Sequence, residues 1–301
     1  MSTLPKPSHA PVCKHPGSLD SVHEQTTRRP VTAVQVRAVE GAAVHERPDR
    51  LVTEEPMEIR VQGPRGDAQP VAVTMRTPGH DFELAVGFLL TEGVLTSAVD
   101  VESVAYCLEG EGEQHYNVVT VLTRSSPDTE RARRAFAVSA SCGICGKSTL
   151  DDIEVWCLPV GPGPVVARSV LLRLPDQLRA EQSVFDATGG LHAAACFDAD
   201  GHLTVLREDV GRHNALDKVV GHAAMDGLLP LGDQVLMVSG RVSFEIVQKA
   251  AVAGIPMICA VSAPSSLAVD AARRFGQTVV GFLRGERFNV YCGAERVDAG
   301  N

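Results

Sequence analysis

Short apolar segments alternate with amphipathic helical segments through the second half of this 301-residue chain. The predicted strands lie at 193–197, 203–206, 235–238, 257–261 and 279–283, and the predicted helices lie at 212–225, 243–253 and 265–275. Strands that alternate with helices form sheets covered by those helices, because each element must bury its apolar side. We therefore expect a three-layer α/β domain with a mostly parallel sheet.

The first half has the pattern of a smaller α+β unit. Alternating apolar and polar residues predict strands at 31–39, 57–61 and 71–75, and helical spacing predicts a helix at Asp81–Thr91 that covers them. Two further strands at 101–108 and 116–122 and a short charged helix at 128–136 follow. The resulting division is a disordered tail (1–30), an N-terminal α+β domain (31–135), a mobile Cys-x-x-Cys loop (136–150) and the larger α/β domain (151–301).

Composition limits the classes of partner. The chain carries 28 Lys and Arg against 37 Asp and Glu, a formal net charge of −9. This balance disfavours duplex nucleic acid, which proteins bind through positive charge. No segment reaches the roughly 18 apolar residues that a membrane helix needs, and polar residues follow the Arg28–Arg29 pair. We therefore expect a cytoplasmic protein with no membrane partner and no export signal.

Cys142 and Cys145 form a Cys-x-x-Cys pair among small residues, just before a predicted helix start at Ser148 or Thr149. A helix N-terminus and the nearby Lys147 both lower the pKa of a thiol, so a reactive thiolate is expected. Such a thiol can carry sulfane sulfur as a persulfide. Structural zinc, a dithiol redox pair and two buried cysteines remain alternatives; zinc would need two further ligands. The other six cysteines stand singly and are interpreted as packing residues, and the irregular spacing of all eight argues against a disulfide framework.

Three polar connections follow successive predicted strands, and each precedes a predicted helix. They lie at 207–214, 239–243 and 262–266. In open α/β sheets, ligands bind outside the carboxyl ends of strands, and helix N-termini there bind phosphate. Each connection alone also fits ordinary helix capping, but the three together predict a nucleotide-like ligand.

Two more segments are candidates for the same ligand. His192 follows two glycines and is interpreted either as a core histidine or as a group that donates a proton or orients the ligand. Segment 282–289 places two arginines beside a glycine and an aromatic residue, which fits phosphate and ring binding or a charged hairpin. A zinc-dependent base deaminase is disfavoured, because two alanines follow His192 and no proline precedes Cys142.

Five motifs in this chain resemble those of the formate dehydrogenase accessory sulfurtransferases, the FdhD family. They are Ser141-Cys-Gly-Ile-Cys-Gly, Thr188-Gly-Gly-Leu-His, Glu208-Asp-Val-Gly-Arg-His-Asn-Ala-Leu-Asp-Lys, Ser239-Gly-Arg-Val-Ser-Phe-Glu and Ser262-Ala-Pro-Ser-Ser-Leu-Ala. The segment that begins Thr77-Pro-Gly-His-Asp-Phe-Glu is also similar, and the resemblance spans residues 31–295.

The resemblance implies a fold, an activity and partners. The fold is a cytidine-deaminase-like second domain without that fold's zinc site, in a homodimer with no permanent metal. The activity is that of a sulfurtransferase, which accepts sulfur from a cysteine desulfurase. It delivers this sulfur to the molybdenum cofactor, as bis(molybdopterin guanine dinucleotide), before the cofactor enters formate dehydrogenase. The alternative is a non-catalytic chaperone that binds this cofactor and its client.

The resemblance also assigns roles to residues. Cys142 would hold the persulfide, and Cys145 would assist or resolve it. The expected cofactor-binding residues are Phe282, Leu283, Arg284, Gly285, Glu286, Arg287, His192, Asp209, Arg212, His213, Ser239, Arg241 and Ser262.

Overall fold

The protein is described from a computed structural model, which describes residues 29–107, 116–128, 130 and 158–300. Residues 1–28 of the predicted tail and the whole predicted Cys-x-x-Cys loop lie outside these ranges. So does most of the predicted helix at 128–136.

A four-stranded sheet and one helix form the core of the first half. The elements are β1 (Val31–Glu40), β2 (Ala43–Val52), β3 (Glu55–Gln62), β4 (Gln69–Arg76), α1 (Asp81–Thr91), β5 (Val101–Tyr106) and β6 (Val118–Thr123). The sheet has the order β4-β3-β6-β5. Met57, Ile59 and Val61 alternate along β3 and pack against Leu84 and Leu89 of α1, all fully buried. The predicted helix covers its sheet as the spacing indicated.

The second half contains a six-stranded sheet. Its elements are β7 (Val166–Ala167), α2 (Arg168–Leu171), α3 (Leu174–Glu181), α4 (Ser183–Thr188), β8 (His192–Phe197), β9 (Leu203–Asp209), α5 (Arg212–Met225), β10 (Val235–Val238), α6 (Phe244–Val252), β11 (Met257–Ala260), α7 (Ser266–Phe275), β12 (Thr278–Arg284), β13 (Arg287–Cys292) and β14 (Val297–Asp298). The sheet has the order β13-β12-β11-β10-β8-β9, and β14 pairs with β7 separately.

The prediction of a mostly parallel sheet is wrong. Only the β10–β11 and β11–β12 pairings are parallel, while β8 runs antiparallel to both its neighbours and β13 runs antiparallel to β12. Parallel neighbours need a long crossover, whereas tight turns join antiparallel strands. The turn at 198–201 joins β8 to β9, and the turn at 285–286 joins β12 to β13, so both outer pairs are hairpins.

Helices cover both faces of this sheet. Helices α5, α6 and α7 pack on one face, through side chains that include Leu216, Val247 and Ala272. Leu171 of α2 and Leu174 of α3 pack on the other face. None of the described helices combines the length and the apolar character that a bilayer crossing requires.

Helices α1 and α5 join the two halves through a backbone contact. A Cβ atom added to Gly87 would lie 1.8 Å from the carbonyl oxygen of Asp217, and one added to Gly221 would lie 1.8 Å from that of Glu83. The two glycines therefore allow the helices to approach more closely than any side chain would permit. At one end of the contact, Arg207 Nε and Nη2 donate to the two carboxylate oxygens of Glu83 at 2.5 and 2.6 Å.

Strand β2 was not predicted. It pairs antiparallel with all of β1, and Gly41 opens the two-residue turn between them with a φ of 64°. Type II′ hairpin turns favour glycine at this first position. In the middle of β2, four charged residues surround Pro48, so the strand lacks the apolar alternation by which strands are recognised.

Candidate functional site

The polar connections meet at one edge of the six-stranded sheet. Strands β9, β10, β11 and β12 all run in one direction, so their carboxyl ends lie at the same edge. Because β8 runs in the opposite direction, its first residue, His192, also lies at this edge, paired with Asp209 at the end of β9. We call this edge, with the segments 209–213, 239–243, 262–265 and 282–284, the site edge.

Direct contacts link these segments in a row. A Cβ atom on Gly240 would lie 3.4 Å from Nδ1 of His192 and 3.6 Å from Cδ of Arg212, so the three residues adjoin. Val242 N donates to the Ala263 carbonyl at 3.2 Å. Phe282 N donates to the Ser262 carbonyl at 3.1 Å, which connects the β12 end to the same row.

Asp209 is fully buried, and its carboxylate binds the protein itself. One oxygen, Oδ2, lies 2.7 Å from Nζ of Lys218 and accepts from the backbone N–H of Thr77 at 3.1 Å. The other, Oδ1, accepts from Gly211 N at 2.8 Å and from Asn214 Nδ2 at 3.0 Å. With these partners, the geometry fits a residue that positions the start of α5.

The sequence analysis did not assign roles to Thr77 and Lys218. Lys218 Nζ also donates to the Thr77 carbonyl at 3.0 Å, and Thr77 Oγ1 accepts from Val210 N at 3.2 Å. The Thr77 segment of the first half is thereby joined to the beginning of α5. Both residues lie inside motifs that resemble the family. Their contact joins positions more than 130 residues apart in the sequence, so no local sequence pattern could have predicted it.

His213 lies in the first turn of α5 and is one-third exposed. Its Nε2 lies 3.2 Å from Oγ of Ser243 and 3.8 Å from Oε2 of Glu245. Burial, followed by the positive charges of Lys249 and Arg212, lowers the pKa of His213 to about 4 despite the opposing carboxylate of Glu245. The imidazole is therefore neutral at physiological pH.

His192 and Arg212 form a second polar pair at the site edge. Burial, followed by the charge of Arg212, lowers the pKa of His192, so this ring is also neutral at physiological pH. The Nε atom of Arg212 is buried without a hydrogen-bond partner among the described residues. Such an unpaired N–H on a permanent cation is available to donate a hydrogen bond to an anion, and no existing protein contact has to break.

Helix N-termini add further donors. The N-caps of α5 and α6, Gly211 and Ser243, make no side-chain capping bond, whereas Ser265 Oγ caps α7 by accepting from Ala268 N at 3.2 Å. Arg241 and Arg284 are exposed on neighbouring segments. Uncapped N–H groups beside guanidinium groups make a setting that binds phosphate.

The β12–β13 hairpin contributes the remaining predicted residues. Phe282 is half-buried and has a φ of 53°, a left-handed conformation that is strained for an aromatic residue. Leu283 is fully buried under the other face of the sheet, so its side chain belongs to the core. Arg284, Gly285, Glu286 and Arg287 are exposed at the turn.

The structure separates the cysteines into two groups. Cys142 and Cys145, with Cys13 and Cys157, lie outside the described residues. Cys196 and Cys259 are fully buried, and burial raises the pKa of both thiols, that of Cys196 to about 12. Cys107 is buried, and the half-buried Cys292 donates to the Gln277 carbonyl at 3.4 Å. These four therefore fit the predicted packing role.

Comparisons with known proteins give relatives from one family. The FdhD/NarQ family matches residues 52–298. The chain is 52% identical over 271 residues to the sulfur carrier protein FdhD of Streptomyces coelicolor, with 87% of this chain and 94% of that protein covered. It is 50% identical over 273 residues to the sulfur carrier protein FdhD of Mycobacterium tuberculosis, with 87% and 97% covered.

The fold is also found among solved structures. One is a crystal structure from Desulfotalea psychrophila, described as a formate dehydrogenase accessory protein, with a TM-score of 0.69 and 22% identity. The match covers 89% of this chain and 100% of that one.

Proposed function

The chain belongs to the FdhD/NarQ family, and from this premise we propose that it is a sulfurtransferase that matures formate dehydrogenase. The observation that carries the proposal is the identity of about one half, over nearly the whole length, with proteins named sulfur carrier protein FdhD. We propose that a cysteine desulfurase supplies the sulfur and that Cys142 carries it. The acceptor is the molybdenum cofactor in its bis(molybdopterin guanine dinucleotide) form, and the protein acts in the cytoplasm as a homodimer.

The site edge supports an acceptor of this kind. A guanine dinucleotide cofactor carries phosphate groups and planar bases, so it needs cations, N–H donors and neutral polar groups. Arg212, the uncapped starts of α5 and α6, and the neutral His192 supply them within one row of contacts. We propose that the phosphates bind at this edge and that Phe282, Arg284 and Arg287 complete the site.

Sulfur loading is an exchange between two sulfur atoms. The Cys142 thiolate attacks the outer sulfur of the persulfide on the desulfurase, the S–S bond of that donor breaks, and its cysteine leaves as a thiolate. Cys142 then holds one additional sulfur atom, with no net oxidation of the pair of proteins.

Delivery to molybdenum can follow two balanced routes. In the first, the outer sulfur leaves as a neutral atom, the Cys142 thiolate is regenerated, and the metal centre is oxidised by two electrons. In the second, the Cys145 thiolate attacks Sγ of Cys142, a disulfide forms between the two cysteines, and sulfide leaves to the metal. A dithiol reductant then restores the thiols. Peptide mass spectrometry after turnover distinguishes the routes by the presence of that disulfide.

Intact and peptide mass spectrometry tests the loading step. After incubation with a cysteine desulfurase and cysteine, without reductant, we expect one added sulfur atom on the peptide that contains Cys142 and Cys145. The adduct is lost on reduction and in the variant Cys142→Ala. If an active desulfurase leaves this peptide unmodified, sulfur carriage by Cys142 is wrong.

Activation of formate dehydrogenase separates the proposal from the chaperone alternative. The double variant Cys142→Ala, Cys145→Ala leaves the site edge untouched, so a cofactor chaperone would still activate its client. We expect this variant to give no activation while it retains the fold, as measured by circular dichroism. Full activation would replace the sulfurtransferase with the chaperone.

Binding of guanosine diphosphate tests the site edge. Charge-assisted hydrogen bonds to phosphate contribute enough that Arg212→Met should weaken binding about tenfold in isothermal titration calorimetry. Arg65→Met, which alters an exposed arginine in the β3–β4 turn, is the matched control and should bind as the wild type does. Equal affinity in both variants would remove Arg212 from the cofactor site.

A further inference from the structure

The β1–β2 hairpin is a two-stranded sheet to which no other described strand pairs. Its main contacts to another described element are with α4. At its base, a Cβ atom on Gly190 would lie 3.0 Å from Cγ1 of Val52. Two-stranded hairpins are marginally stable by themselves in water. On one side of β1, Val34, Val36 and Ala38 are half-buried, so this apolar stripe is only partly covered.

The two outer edges of the hairpin are not equivalent. Thr53 N donates to the Pro30 carbonyl at 2.8 Å, which makes 30 and 53 a hydrogen-bonded pair. Hydrogen-bonded pairs alternate along an antiparallel ladder, so the pair Gln35 and Pro48 is non-hydrogen-bonded and its backbone N atoms point away from the partner strand.

It follows that Pro48 removes an outward N–H donor from the middle of the β2 edge. Proline at such a position blocks the addition of another strand. The outward donors of β1, at 31, 33, 35, 37 and 39, are all present. The open edge of the hairpin is therefore the β1 edge.

We propose that the β1 edge pairs antiparallel with the β1 edge of a second copy of this chain, which gives a four-stranded sheet across a two-fold axis. Outward-facing residues must oppose one another, which restricts the register. When Val36 of the two copies lies on the axis, Arg37 of one copy faces Gln35 of the other, and Glu40 faces Thr32. No like charges are opposed, and the Val34, Val36 and Ala38 stripes join into one apolar strip.

A register shifted by one step toward the turn would place the Arg37 side chains of the two copies opposite each other, which repulsion disfavours. The pairing rests on the homodimer of the proposed function and supplies its contact, but it concerns assembly and not sulfur transfer. A failed sulfur-loading assay would therefore leave it unaffected.

A pair of matched proline variants tests the edge in the full-length protein. Gln35→Pro removes an outward donor from β1, and Glu46→Pro removes one from β2; neither position donates within the hairpin. Loss of one hydrogen bond from each copy should raise the dimer dissociation constant at least about tenfold for Gln35→Pro. Glu46→Pro should dimerise as the wild type does. Sedimentation equilibrium measures all three.

A wild type that remains monomeric, or equal dissociation constants for the three proteins, would overturn the proposal. A cysteine variant tests the register without proline. Non-hydrogen-bonded neighbours lie close enough for a disulfide, so Val36→Cys should form an intermolecular disulfide between identical peptides on mild oxidation. Arg47→Cys lies in β2, away from the proposed pairing, and should form no such disulfide. Absence of the Val36→Cys cross-link would reject this pairing.

Discussion

At the scale of single residues, the site edge depends on groups that never face a ligand. Asp209 has no exposed surface, and Lys218 is 1% exposed, so the two charges compensate each other inside the protein. They join the Thr77 segment to the first turn of α5, which contains Arg212 and His213. The placement of the residues proposed to bind the cofactor therefore relies on a buried ion pair.

Replacement of Asp209 by Asn should test this dependence. The variant keeps the shape of the side chain but leaves the buried Lys218 ammonium without a counter-charge, which should reduce the free energy of unfolding by about 3 kcal/mol. Urea unfolding measures the loss. The exposed Asp233→Asn is the control and should change the value by less than about 0.5 kcal/mol. Similar effects of the two substitutions would show that the pair is not stabilising.

His213 gives the protein a defined pH dependence. Its pKa is about 4 in the folded protein and near the ordinary 6.5 in the unfolded chain. Between these values the unfolded chain binds a proton that the folded protein does not, so stability falls as the pH drops from about 6.5 to 4. His213→Asn should make this fall shallower in unfolding experiments across that interval. An unchanged pH profile would contradict the lowered pKa.

At the scale of elements, some boundaries follow directly from the sequence. The predictions of α1 at 81–91 and α5 at 212–225 are confirmed, because long periodic segments bury one face. Strand β2 was not predicted, because its charged residues and its proline interrupt the apolar alternation typical of a strand. The prediction of a mostly parallel sheet was wrong, because periodicity reports that a strand is buried but not which way it runs.

The α1–α5 contact predicts an effect of single methyl groups. Gly87→Ala or Gly221→Ala would force the added Cβ into a backbone carbonyl, so the helices must separate and the free energy of unfolding should fall by about 3 kcal/mol. The matched control is Gly66→Ala, where a Cβ would meet no atom within 4 Å. It should change stability by less than about 1 kcal/mol. Thermal melts compare the variants, and a tolerated Gly87→Ala would reject the close contact.

At the scale of the whole molecule, the sequence predicts which segments meet at the site edge better than it predicts the contacts that hold those segments in place. The residues of the site edge were found because their motifs follow predicted strands, and parallel strands bring their ends together. The contribution of Thr77 was not predicted, because no local sequence pattern indicates a contact between residues 132 positions apart. The roles of Cys142 and Cys145, and the division into two domains, stay predictions.

The contacts of α1 with α5 and α6 predict how the whole protein unfolds. Ala224 of α5 packs into the core of the smaller sheet, and Lys249 of α6 donates to Thr91 of α1 at 2.8 Å. Because each half buries groups of the other, we expect one cooperative thermal transition with equal calorimetric and van't Hoff enthalpies. Two separate transitions in scanning calorimetry would instead show independent domains.

The reciprocal glycines also restrict how a carrier of this kind can work. Where two backbones touch with no side chains between them, small rotations meet hard repulsion at once, so the two sheets form a single rigid frame. We therefore expect the two halves to keep a fixed relative position, so that a hinge between them takes no part in the proposed sulfur transfer.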